Sequence, residues 1–189
     1  MARWQPNASE RLVLAALELF EERGYENTTV IEIAERAGLT KSTFFRHFPD
    51  KREVLFGGGT MTGLLVDGLD AAPAGASPLE TVAHALDVIG KKAFTPDRRE
   101  FGARRSAVIA ANPELRERDA LKQLSLTASM VDALKRRGVP DLTARVAAEL
   151  GALAWKIAYE RWRDTANDDD FGQLARRILN DVRAASARC

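Results

Sequence analysis

The sequence predicts an all-α fold of about nine helices, three within residues 1–56 and the rest within 57–189. Three observations lead there. Apolar residues recur at helical spacing almost throughout, and alternating runs rich in Val, Ile and Thr are absent. The helical stretches are also parted by short breaks that carry start and stop signals. These fall at Gly24–Asn27, Ala37–Thr40, Pro49–Asp50, Ala71–Ser77, Thr95–Asp97, Asn112–Pro113, Gly138–Pro140 and Thr165–Asp170.

The first helix spans about Asn7–Arg23, with Leu12, Val13, Ala16, Leu19 and Phe20 on one stripe and Glu18, Glu21 and Glu22 off it. The second spans about Val30–Ala37, with Val30, Ile33, Ala34 and Ala37 on one face. Thr29 and Glu32 are spaced as a capping box at its start. Gly38-Leu39-Thr40 forms the turn, where glycine can take positive φ without side-chain cost. Thr40 then caps a third helix, Lys41–Phe48. Phe44 and Phe48, one turn apart, anchor it on the first two, which leaves Lys41, Ser42, Thr43, Phe45, Arg46 and His47 for other faces. A short helix with a dense polar face, following a tight turn after another short helix, is the helix-turn-helix pattern. Such a second helix enters the major groove of DNA.

Charge agrees locally rather than globally. Of 189 residues, 46% are hydrophobic and 29% charged, and the net charge is only +1. Residues 36–52 nevertheless carry +4, from Arg36, Lys41, Arg46, Lys51 and Arg52 against Asp50, while residues 1–35 carry −4. Positive charge concentrates where the motif places phosphates. Cys189 is the sole cysteine, so no disulfide framework exists within the chain, and a cytoplasmic, reducing location is expected. No signal-like core or membrane-length apolar run is present, so no membrane partner is expected.

The series Gly24-Tyr25-Glu26-Asn27-Thr28-Thr29-Val30, Ile33-Ala34-Glu35-Arg36-Ala37-Gly38-Leu39-Thr40-Lys41-Ser42-Thr43-Phe44-Phe45-Arg46-His47-Phe48 and Lys51 closely resembles the tetracycline-repressor (TetR) family over about Ser9–Phe56. The resemblance implies a DNA-binding domain over 1–56 and a ligand-binding and dimerisation domain over 57–189. It also implies roles for single residues. Thr29 matches a cap that touches phosphate, although it can equally serve only as a cap. Lys41, Ser42 and Thr43 match the base-reading start of the third helix. Phe45 stands where the family usually has tyrosine; without the hydroxyl it cannot donate to phosphate, but it can meet a thymine methyl. His47 and Lys51 match phosphate-contacting positions, and Arg46 can face solvent or phosphate.

Beyond residue 56 the signals are weaker. Ser77 with Glu80 marks a capped start, and Pro78, Pro96 and Pro113 read as first-turn prolines. Phe94, Phe101, Arg105, Met130, Trp155 and Tyr159 are candidate pocket residues, although aromatic and Met residues at helical spacing are more often core, and a solvated face is the commoner role for Arg105. The last two helices, about Asp141–Thr165 and Phe171–Ala187, suit a homodimer bundle across a twofold axis, or simply the closing of their own core. Asp168-Asp169-Asp170 reads as a helix start rather than a metal site, and neither a metal nor a cofactor is expected. Gly57-Gly58-Gly59 falls where the family has a connecting helix, and reads as either a hinge or a kink.

The expected function is a ligand-responsive regulator, repressor-like, that binds a near-palindromic double-stranded operator as a homodimer and is released by a small-molecule effector. The alternative is a ligand-independent architectural DNA binder or a partner-controlled adaptor. An enzyme is disfavoured: two histidines, one cysteine and no phosphate loop leave little chemistry.

Overall fold

The computed structural model describes residues 7–164, 166 and 168–186. Cys189 and part of the Thr165–Asp170 break therefore lie outside the described residues. Among those described there are nine α-helices and no strand: α1 Ala8–Arg23, α2 Val30–Arg36, α3 Lys41–His47, α4 Thr60–Asp70, α5 Pro78–Ala93, α6 Arg99–Ala111, α7 Pro113–Arg136, α8 Asp141–Trp162 and α9 Phe171–Ser186. Two 3₁₀ helices, Arg52–Gly59 and Pro96–Arg98, precede α4 and α6. No helix among the described residues is long and apolar enough to cross a membrane.

The chain divides into two compact units. One is residues 1–59 with 104–119; the other is 60–103 with 120–189. The first unit thus takes in the end of α6 and the start of α7, a stretch that a linear division at residue 56 leaves with the second domain.

In the first unit, α1 buries Leu12, Ala16, Leu19 and Phe20, α2 adds Ile33 and Ala34, and α3 adds Phe44. Their starts are locally encoded. Asn7 accepts from the Glu10 amide at 2.9 Å. Thr29 and Glu32 close a full capping box, and Thr40 accepts from the Thr43 amide at 3.2 Å. Each device satisfies amides that a first turn leaves without partners. Arginines from α6 and α7 complete this unit. Arg104 grips the Glu21 carboxylate with two nitrogens, at 3.0 and 2.5 Å. Arg118 donates to the buried Glu53 carboxylate, its Nε at 2.9 Å.

In the second unit, α5 packs against α4, α8 and α9, and α8 packs along α9. The core is Leu65 and Leu69 of α4, Val82, Leu86 and Ile89 of α5, Met130 and Leu134 of α7, Ala148 and Trp155 of α8, and Phe171, Leu174 and Ile178 of α9. Gly151 faces Val82 and Met130, so the small-residue stretch of α8 serves the unit's own packing. Asp170 caps α9 by accepting from the Gln173 amide at 3.0 Å.

Candidate nucleic-acid interface

The turn between α2 and α3 is fixed from both sides. The Leu39 amide returns to the Ala34 carbonyl at 2.8 Å, and Gly38 sits at φ +65°. Arg11 of α1 reaches across and donates to the Ala37 carbonyl. A Cβ at position 38 would stand 2.8 Å from the Arg11 guanidinium nitrogen, a side-chain tip that can shift, so it is the positive φ that calls for glycine there.

Phe44 of α3 and Phe48, the extended residue just past the end of α3, are buried with ring centroids 5.6 Å apart. This turns the remaining side chains outward. Lys41, Ser42, Phe45 and Arg46 are exposed; Thr43 and His47 are half-buried. Phe45 is 47% exposed, an unusual state for a large apolar ring. The Lys41 ammonium lies 6.0 Å from its centroid. Arg46 forms no ion pair or hydrogen bond among the described residues, which leaves its guanidinium free for a ligand anion.

Other expected contacts are partly committed inside the fold. The Thr43 hydroxyl is 3.0 Å from that of Thr40. The Thr29 hydroxyl is held by Glu32, 2.8 Å from Oε2. Lys51 donates to the Tyr25 and Thr28 carbonyls at 2.8 and 3.0 Å, and its ammonium sits 4.0 Å over the Tyr25 ring. Two of its three N–H bonds are thus used, leaving one to point elsewhere. The Nε2 of His47 is buried without a hydrogen-bond partner, so only Nδ1 could meet a phosphate.

The local charge count overstates the free positive surface. Arg36 is locked to Glu22 at 2.9 and 2.8 Å and to Glu18 at 3.4 Å, and its hydrogen bond holds the Glu22 carboxyl below its ordinary range. Arg52 pairs with Asp50 at 3.1 Å and Glu114 at 3.5 Å. The acidic residues of α1 neutralise one arm of the basic cluster; Lys41 and Arg46 remain.

The candidate pocket residues divide between the units. Phe94, Trp155 and Tyr159 come together with Trp162 and Phe171 in the second unit. The Phe94 centroid is 5.4 Å from Trp155, 5.5 Å from Tyr159, 5.1 Å from Trp162 and 4.2 Å from Phe171. Met130 is buried in the same core, and Phe101 is half-buried on α6. Arg105 belongs to the first unit: its Nε donates to the Leu55 carbonyl at 2.6 Å, and its guanidinium lies 5.0 Å from the Phe56 centroid. Two open grooves of the second unit, one lined by Asp87, Lys91, Gln173 and Arg176 and the other by Leu79, Val146, Leu150 and Arg183, include none of the six candidates.

Residues 12–56, which carry most of α1, all of α2 and α3 and the turns between them, match the family model described as bacterial regulatory proteins, tetR family. This segment is similar to the TetR family. Its TetR-type segment is 40% identical over 81 residues to the HTH-type transcriptional regulator TcmR of Streptomyces glaucescens, covering 42% of this chain and 36% of that one. The chain thus spans about a third of that relative's length. Whole-chain likeness comes from solved structures. The TetR-family repressor FadR of Thermus thermophilus, in complex with lauroyl-CoA, is 26% identical, covers 93% of each chain and has a TM-score of 0.52. NalD of Pseudomonas aeruginosa, the secondary repressor of the MexAB-OprM efflux pump, is 18% identical, covers 94% of this chain and 95% of that one, and has a TM-score of 0.59. These structures share the all-helical fold, and the relatives are transcriptional regulators rather than enzymes.

The residues that sequence reasoning missed are those whose partners are far away. Arg99 and Arg118 carry no motif, and Trp162 and Phe171 show only as members of an apolar stripe. Long-range packing alone assembles them, and helical periodicity carries no signal for it.

Proposed function

We propose that the chain is a cytoplasmic transcription regulator that binds a near-palindromic operator as a homodimer and leaves it when a small molecule binds the second unit. The observation that carries the DNA-binding part is the outward face of α3. Lys41, Ser42, Phe45 and Arg46 stand clear of the core on a helix whose position is fixed by Phe44, Phe48 and the Arg11-clamped turn. Lys41 can donate to a guanine edge, Phe45 can meet a thymine methyl and Arg46 a phosphate. Two such helices, one from each subunit, would enter successive major grooves about 34 Å apart.

Dimerisation is supported by α8. Leu142, Val146 and Leu153 lie on one face and are 74%, 51% and 45% exposed. The apolar residues of α9 are consumed by the subunit's own core, and its outer face is polar, with Arg176, Arg177, Asn180 and Arg183. Effector control is supported by the lauroyl-CoA complex of FadR. A second reading, a DNA binder that answers to a protein partner, is favoured by the filled core, in which Phe94, Met130 and Trp155 are all buried.

The test is binding to the intergenic DNA upstream of the protein's own coding sequence, titrated against salt, beside Lys41→Ala. Selective, dimer-sized protection that relaxes its sequence preference in the variant supports the proposal. Absence of selective binding to any genomic duplex overturns it.

A further inference from the structure

A buried N–H without an acceptor and a buried cation without a carboxylate partner among the described residues meet on one ring of the second unit. Trp162 is 1% exposed, and its indole Nε1, which can only donate, has no hydrogen-bond partner. Arg99 is 8% exposed, and its guanidinium carbon lies 5.6 Å from the centroid of the same ring. One guanidinium nitrogen donates to the Asp169 carbonyl at 2.9 Å, and Arg99 makes no ion pair among the described residues. A buried cation is ordinarily matched by a carboxylate, and a buried N–H by an acceptor. Among the described residues the positive charge has no carboxylate and the N–H no acceptor, and both adjoin a wall of aromatic rings.

The ring at the centre of that wall sits where it can yield. Phe94 touches Trp155, Tyr159, Trp162 and Phe171 at once, yet it is the residue just past the end of α5, followed directly by Thr95-Pro96. Its amide closes the last turn on the Gly90 carbonyl at 3.1 Å, while its φ of −115° and ψ of 53° already leave the helix, so the chain is free of helical geometry from this residue onward. Tyr159 closes another side, its hydroxyl donating to the Gly102 carbonyl at 3.3 Å.

We infer that this aromatic box binds a planar aromatic carboxylate, whose ring takes the place of Phe94 and whose carboxylate accepts from Trp162 Nε1 and pairs with Arg99. The inference rests on the effector reading and names its ligand class. An aliphatic acid satisfies the donors but not the ring faces, and an aromatic amine meets Arg99 with like charge. Phe94 is the plug that fills the box when the ligand is absent, which is why the core is closed.

The experiment uses the full chain and calorimetric titration with 2-naphthoate, 2-naphthylmethylamine and octanoate. The naphthoate should bind about tenfold or more tightly than either control, as a charge-assisted hydrogen bond and a matched ring face require. Phe94→Ala should bind it more tightly than the unaltered protein. Trp162→Phe, which keeps a ring and loses the N–H, should weaken binding about tenfold in either background. Arg99→Gln should do the same where it folds; Trp162→Phe decides the matter where it does not. Failure of naphthoate to bind, equal binding of the amine, or indifference to Trp162→Phe overturns the inference. Selective DNA binding, measured on the same preparation, separates that outcome from failure of the regulator reading.

Discussion

Arg36 and Arg46 lie ten residues apart in a basic stretch, and their surroundings give them opposite roles. Arg36 spends its guanidinium on Glu22 and Glu18 of α1, so its field at the DNA-facing surface is largely cancelled. Arg46 has no such partner among the described residues and keeps its full charge. The two substitutions should therefore separate in a salt titration of operator binding. Arg46→Ala should lower affinity evenly across sequences and make the log–log salt slope shallower by about one, the signature of one lost phosphate contact. Arg36→Ala should leave that slope nearly unchanged. An equal change of slope for both would mean that Arg36 leaves its carboxylates when DNA arrives. This distinction is hidden in the sequence. A local charge count sees five basic residues between positions 36 and 52, but not that Glu22, fourteen residues before Arg36, faces it.

Elements here differ in how much of their structure is local. The helices are legible because caps and apolar spacing act within a turn or two. Thr29 with Glu32 and Ser77 with Glu80 form complete capping boxes, as their spacing implies. The pair Asp50 and Glu53 has the same spacing and shows where local reasoning stops. Asp50 accepts from the Glu53 amide at 3.0 Å, but the Glu53 carboxylate is buried and taken by Arg118, sixty-five residues later. The segment Arg52–Gly59 is a 3₁₀ helix rather than an α-helix, and its end contains Gly57 at φ +68° and Gly59 at φ +91°. Nothing lies within 4 Å of a Cβ built at either position. Alanine there meets no steric clash, and its cost is conformational alone, about 1 kcal/mol or more per residue in the left-handed region. Gly57→Ala with Gly59→Ala should thus lower stability in urea by about 2 kcal/mol if the connection must keep its bent path. If the segment is instead free to join α4 as one helix, stability should hold and helical ellipticity should rise. The second result would support a hinge that helix formation can stiffen, and would make effector-dependent DNA release the next property to measure in the same variant.

At the scale of the whole molecule, the open question is what covers α8. Within one subunit, Leu142, Val146 and Leu153 project from a face whose flanks carry Arg145, Glu149, Lys156 and Glu160. The opposite face of the same helix is fully used: Ala144, Ala148, Ala154, Ala158 and Trp162 are buried in the subunit's own core. The sequence does not tell these faces apart, because Leu142, Val146, Leu150, Ala154, Ala158 and Trp155 are all apolar and spread over more than half of the helix circumference. Packing against α5 and α9 consumes one side and leaves the other. An isologous dimer places each such residue near its own symmetry mate, so a charge introduced there is doubled in the interface. Val146→Lys with Leu153→Lys should therefore give a folded monomer. The long lysine stems can lie along the helix with their ammonium groups in water, so the helical circular dichroism of the subunit should persist. Sedimentation should report half the mass. Affinity for a two-half-site operator should fall by about a hundredfold or more, because the second recognition helix is no longer delivered at high effective concentration by the first. Binding to an isolated half-site should change little, since α3 is untouched. A variant that remains dimeric would move the interface away from α8. One that unfolds would show that Val146 and Leu153 close the subunit's own core instead.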